Sequence, residues 1–164
     1  MAATNRKLIR TVLLSGLLAG TLDICTACCQ YYLKTGKDPL NVLRYVAGGA
    51  FGKTAFSGGT PMALWGLFFH YLIAMSFTVF FFLIYPRIEI MARNRVVTGI
   101  VYGLFIWLVM NRLVVPLSRL DPVPFQWKSA LIGASILIVM IGIPLSFIAN
   151  KYYRQALDNA KQTG

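Results

Sequence analysis

Acidic side chains are scarce in this chain: its 164 residues hold five Asp and Glu against sixteen Lys and Arg, with one histidine and three cysteines. The carboxylates (Asp23, Asp38, Glu89, Asp121, Asp158) are scattered singly, so none stands beside Asp23 to extend a proton-relay chain. A lone histidine, His70, and no serine in a nucleophile-elbow context leave few ways to build a hydrolytic triad. Cys25, Cys28 and Cys29 share one apolar run, where they cannot form a disulfide framework and, with one remote histidine, make a poor zinc site. They read as small apolar packers. No catalysis, cofactor or metal is expected.

What the chain does have is apolar surface. Hydrophobic residues make up 57% of it, charged residues 13%, and the mean hydropathy is +0.66, outside the range of soluble domains. Four apolar runs, 11–33, 62–85, 96–117 and 130–149, are each about 20 residues or slightly longer, enough to cross a hydrocarbon core of about 30 Å. In lipid every backbone polar group must be satisfied within the segment, and the runs are too long and too uniformly apolar for barrel strands. The expected fold is an all-α membrane protein of four transmembrane helices forming one domain over 11–149. A basic segment, 1–10, precedes it and a basic tail, 150–164, follows. The first run is too long for the apolar region of a signal peptide, contains Asp23, and lacks a small-x-small cleavage site.

Positive charge is retained on the cytoplasmic side during insertion, and counting it places both termini on that side. Arg6, Lys7, Arg10, Arg87, Arg93, Arg95, Lys151, Arg154 and Lys161 then lie inside, against Lys34, Lys37, Arg44, Lys53, Arg119 and Lys128 outside. Tyr31, Tyr32, Trp65 and Trp127 mark outer ends of the spans, and Tyr85, Tyr152 and Tyr153 inner ends. The net charge of +11 is explained by these flanks lying against anionic headgroups, so the partner is the lipid bilayer and nucleic acid is not expected.

Between the first two runs, AGGAFGKT (Ala47 to Thr54) satisfies a phosphate-loop pattern. Such a loop joins a strand to a helix, whereas here Asp38 and Pro39 read as the start of a helix. Leu40, Leu43, Ala47, Phe51 and Thr54 recur at helical spacing, with Asn41, Arg44 and Gly48 turned away. The expectation is a short amphipathic helix ending at Gly58-Gly59, and no ATP binding. Segment 38–61 is then interfacial or re-entrant, and its small residues suit close packing.

Polar residues within the spans carry the functional reading, because an ionisable group at membrane depth is costly unless paired or hydrated. Helical spacing puts Asp23 on one face with Gly16, Gly20 and Ala27, and His70 between Gly66 and Ala74. Gly99 and Gly103 lead to Trp107 and Asn111 by steps of four, and Arg112 follows. From run midpoints, Asp23, His70, Asn111 and Arg112 lie about 2, 5, 7 and 8 Å outward of the midplane. They are candidates for one polar cluster in which Arg112 neutralises Asp23. The competing readings are a neutral His70 satisfied by a carbonyl or hydroxyl, an Asp23 that makes an interhelical hydrogen bond, and an Arg112 that snorkels to headgroups.

The order GLFFHYLIAMSFTVFFFLIYPRIEI, GIVYG and MNRLVVPLSRLDPVPFQW, from Gly66 to Trp127, resembles the YagU-type inner-membrane proteins of bacteria. The likeness rests on His70, the Tyr85-Pro86-Arg87-Ile88 exit, Gly99 with Gly103, and Pro116, Pro122 and Pro124. It implies a role in survival in acid, the family having no established molecular activity. Two readings follow: a component of acid or envelope-stress tolerance that moves a small ion or solute through the Asp23 and His70 pocket, or an accessory subunit. In the second, the glycine stripes would bind a second copy or a partner membrane protein.

Overall fold

The computed structural model describes residues 2–121 and 126–162, so Pro122 and Pro124 lie outside the described residues. Among those described there is no strand, and four helical stretches are long and apolar enough to span a membrane: Arg6–Thr35, Gly59–Arg87, Arg95–Leu117 and Trp127–Ala156. The chain is an all-α, multi-pass membrane protein. Helix α1 (Ala2–Thr35) runs unbroken, and the hydroxyls of Ser15, Thr21 and Thr26 return to the carbonyls four residues back, keeping their polarity inside the helix. Gly36 ends it at φ 66°, donating to Tyr32 O at 2.7 Å. The helices overrun the apolar runs at both chain ends: residues 2–10 of the basic segment belong to α1, and the last helix continues to Gln162.

Helix α2 (Leu40–Phe51) begins where Asp38 Oδ1 accepts the Leu40 N–H at 3.0 Å. It stops earlier than Gly58-Gly59, because Gly52 takes φ 67° and donates to Gly48 O at 2.8 Å. A single turn, α3 (Thr54–Ser57), leads into α4 (Gly59–Ile84). Gly48 is buried rather than turned away, together with Leu43 and Ala47, whereas Leu40 and Phe51 are exposed. Arg44 Nε bonds Gly59 O at 3.3 Å and the Phe51 ring touches Trp65 and Phe69, so α2 runs down the first turns of α4.

A short turn at Tyr85–Arg87 and α5 (Glu89–Arg93) connect to α6 (Arg95–Val109), whose first N–H groups, on Val96 and Val97, are capped by Asn94 Oδ1. The third span continues through a π turn (Met110–Val114) into α7 (Val115–Leu117); the fourth comprises α8 (Trp127–Leu137), a π turn (Ile138–Gly142) and α9 (Ile143–Gln162). Each π turn ends two residues before a proline, Pro116 or Pro144. Val115 and Ile143 reach back five residues, to Met110 O and Ile138 O, as the ladder adjusts to the missing N–H and bulky ring.

Two clusters hold the bundle. Toward the termini, Phe81, Tyr102, Ile106, Ile141, Leu145 and Ala19 interlock, while toward α2 a smaller group joins Ile24, Leu43 and Ala63. The glycine stripes make the close approaches. Cβ atoms added at Gly99 and Gly103 would lie 2.7 and 2.5 Å from the Cα atoms of Ile143 and Ile138, so the third span rests directly on the π turn of the fourth. Gly16 and Gly20 face Met75, Tyr71 and Ala74 of α4, and Gly66 meets the backbone of Leu43. Gly16, Gly20, Gly66, Gly99 and Gly103 are therefore occupied from within the chain, and a partner helix would have to dock elsewhere.

Candidate functional site

The seam between α1 and α4 carries two polar cross-links. Gly20 has no side chain to cover its own carbonyl, and His70 Nε2 reaches that oxygen at 2.8 Å. A carbonyl only accepts, so Nε2 carries the hydrogen and Nδ1 keeps the lone pair. One residue on, Thr21 Oγ1 donates to Leu17 O at 2.7 Å, which leaves Tyr71 as the donor in the 2.7 Å bond between the Tyr71 and Thr21 hydroxyls.

Asp23 lies four residues beyond Ala19 and three beyond Gly20, on the bundle-facing side of α1, half-buried and within electrostatic reach of His70. Among the described residues its carboxylate has no hydrogen bond and no ion pair; the two ion pairs are Arg44 with Asp38 and Lys53 with Asp121. The expected Arg112 partnership is not formed. Asn111 and Arg112 are both exposed, and Asn111 Nδ2 donates to Trp107 O on its own helix at 2.9 Å. The reason is angular. Gly99, Gly103 and Ile106 turn one face of the third span to the fourth, and Arg112, nine positions past Gly103, comes out on the far side, where a long cationic side chain can reach headgroups. The structure brings together two of the four polar residues, Asp23 and His70. In consequence, detergent-extracted Arg112→Gln should melt within about 0.5 kcal/mol of the parent. The Asp23→Asn and Arg112→Gln effects should add in the double variant, and recovery by that variant would contradict the separation.

The AGGAFGKT segment has a different partner from a nucleotide. Its first five residues are the last turns of α2, and the glycines admit the strip 118–121: Arg119 N–H donates to Gly49 O at 3.0 Å, and a Cβ at Gly48 would lie 2.9 Å from Leu120 Cδ2. Lys53 pairs with Asp121 at 3.2 Å on the surface. Cys28 Sγ donates to Pro39 O at 3.6 Å, and among the described residues no three His, Cys, Asp or Glu side chains gather as a metal site.

Sequence reasoning missed a second polar seam at the termini end. Buried Asn150 donates from Nδ2 to Tyr85 Oη at 2.9 Å, buried Ser146 donates to Arg95 O at 2.7 Å, and Tyr153 and Tyr102 donate to Phe82 O and Phe77 O at 2.7 and 2.5 Å. The available signal was the four-residue step from Ser146 to Asn150 beside Leu145 and Ala149, a polar stripe on the buried face. No family model matches this chain, and neither a curated protein nor a solved structure is significantly similar to it.

Proposed function

We propose that this chain is a proton-responsive protein of a bacterial inner membrane, with both termini in the cytoplasm, acting in acid or envelope-stress tolerance through Asp23 and His70. The observation that carries this reading is the nearness of His70, the chain's one imidazole, to the Asp23 charge on α1; the bond from its Nε2 to Gly20 O is the one a neutral, structural histidine would make, and it places the ring there with the Nδ1 lone pair kept. Taking a proton on Nδ1 creates a cation close to that carboxylate, and losing it removes one. Few other charges compete. Asp38 and Arg44, from the α2 side, neutralise each other, Tyr71 is committed to Thr21, and Arg112 is exposed on another span. An unpaired carboxylate at membrane depth marks a functional position more often than a structural one. The resemblance to YagU-type proteins over Gly66 to Trp127 points to the same physiology, and the basic residues gathered at the termini end support the orientation. On this reading the protein has no catalytic activity, and the species it senses is the proton taken by His70.

The test is His70→Gln. The glutamine amide can still donate to Gly20 O, so the fold should survive, but it takes no proton at neutral or mildly acidic pH. Cells carrying the variant should lose acid survival to the level of cells without the protein, while the extracted protein melts like the parent. A normally folded variant with undiminished acid survival would overturn the proposal.

A further inference from the structure

At the termini end a second feature stands apart from Asp23 and His70. Between the start of α6 and the face of α9 lies a groove of about 450 Å³ lined by the cations Arg95, Lys151 and Arg154 and by Phe147 and Ile148, with Asp158 its one carboxylate among the described residues. Lys151 and Arg154 are three residues apart and Phe147 is four before Lys151, so all three project from one face of α9. Arg95 is brought to them from the other helix. Its guanidinium lies 5.4 Å over the Phe147 ring, and its carbonyl is held by buried Ser146. Among the described residues none of these three cations is ion-paired.

From this arrangement we infer that the groove binds the headgroup of an anionic phospholipid, with the phosphate between Arg95, Lys151 and Arg154 and the start of the acyl region along Phe147. Charge selects the occupant. Three cations against one carboxylate favour a net negative headgroup over a zwitterionic one, whose own ammonium would meet the third cation. Position selects it too, since Phe147 is exposed on a helix that continues into the span, so the groove opens onto the lipid-facing surface. The same chemistry would accept a free phosphate ester, and the experiment separates the two.

The full-length protein, delipidated in mild detergent, is titrated with phosphatidylglycerol, phosphatidylcholine or soluble glycerol phosphate while its melting temperature is followed. Phosphatidylglycerol should stabilise it, phosphatidylcholine much less, and glycerol phosphate at equal concentration not at all. Combined Arg95→Gln, Lys151→Gln and Arg154→Gln changes should weaken the phosphatidylglycerol response by about tenfold or more, as expected for loss of three phosphate contacts. Removing as many charges at Arg6, Lys7 and Arg10 should leave it intact. Equal loss in both triple variants would overturn the site in favour of diffuse attraction, and equal stabilisation by glycerol phosphate would overturn the lipid assignment. Should the first triple variant fail to fold, Arg95→Lys with Arg154→Lys decides. It keeps every charge but loses the forked donors and the stacking on Phe147, and should weaken the response about threefold to fivefold. An unchanged response in that variant would overturn the proposal.

Discussion

Gly66→Ala should be among the most damaging methyl additions in the bundle, at or beyond the upper end of the usual overpacking cost of about 1–3 kcal/mol. The added Cβ would stand 1.8 Å from the carbonyl oxygen of Leu43, a backbone atom that moves only if α2 moves with it. Gly142→Ala and Gly103→Ala belong to the same group, their new Cβ atoms lying 2.1 Å from Gly99 O and 2.5 Å from Ile138 Cα. Gly16→Ala looks similar by distance, 2.7 Å from the Met75 sulfur, yet the obstacle there is the end of a flexible thioether, and about 1 kcal/mol or less is expected. Gly133→Ala meets Trp107 Nε1 only at 3.5 Å, ordinary contact, and should be nearly neutral. Melting of detergent-extracted variants orders the series. If Gly66→Ala melted with Gly133→Ala, the packing of α2 on α4 described above would be wrong.

Phe81→Ala should be the most costly truncation in the main cluster, and the size of the loss tests what holds the helices together. The ring is fully buried, 4.4 Å from the centroid of Tyr102 and 5.5 Å from that of Tyr85. In a water-soluble core the change would cost about 3–5 kcal/mol, part of it transfer from water and part the cavity. Lipid tails solvate a phenylalanine about as well as a protein interior does, so the transfer part falls away and the cavity and lost ring contacts remain. About 2–3 kcal/mol is expected. Phe80, 43% exposed and stacked on Phe105 at the lipid-facing side, should lose less than about 1 kcal/mol as alanine. Equal losses at the two positions would mean that burial within this cluster does not decide stability.

Much of the candidate site is legible in the sequence, but in pieces. The cost of a carboxylate in a span singled out Asp23, and the single imidazole singled out His70. A carbonyl was among the partners expected for that imidazole, and Gly20 O is the one it found. Depth alone also nominated Asn111 and Arg112, and depth was insufficient, because residues at one level can face opposite ways round their helices. The seam of Ser146, Asn150, Tyr85 and Tyr153 escaped notice for the converse reason: each partner sits near a span end, where polar residues ordinarily face water or headgroups.

The sequence by itself determined that this is a helical, multi-pass membrane protein with four stretches long and apolar enough to span, and that its glycines would bring helices into close contact. These are local properties, since a backbone in lipid must satisfy itself within about 20 residues and a missing side chain permits close approach wherever it falls. Only the tertiary structure decided that Gly99 and Gly103 meet a π turn ahead of Pro144, that strip 118–121 fills the glycines of AGGAFGKT, and that Asp23 comes within electrostatic reach of His70 and makes no ion pair with Arg112. Those pairings depend on the rotation of each helix against neighbours that are 30 or more residues away in the chain. In lipid, shape and hydrogen bonding between particular surfaces select that rotation, and apolarity, the same on every face, does not.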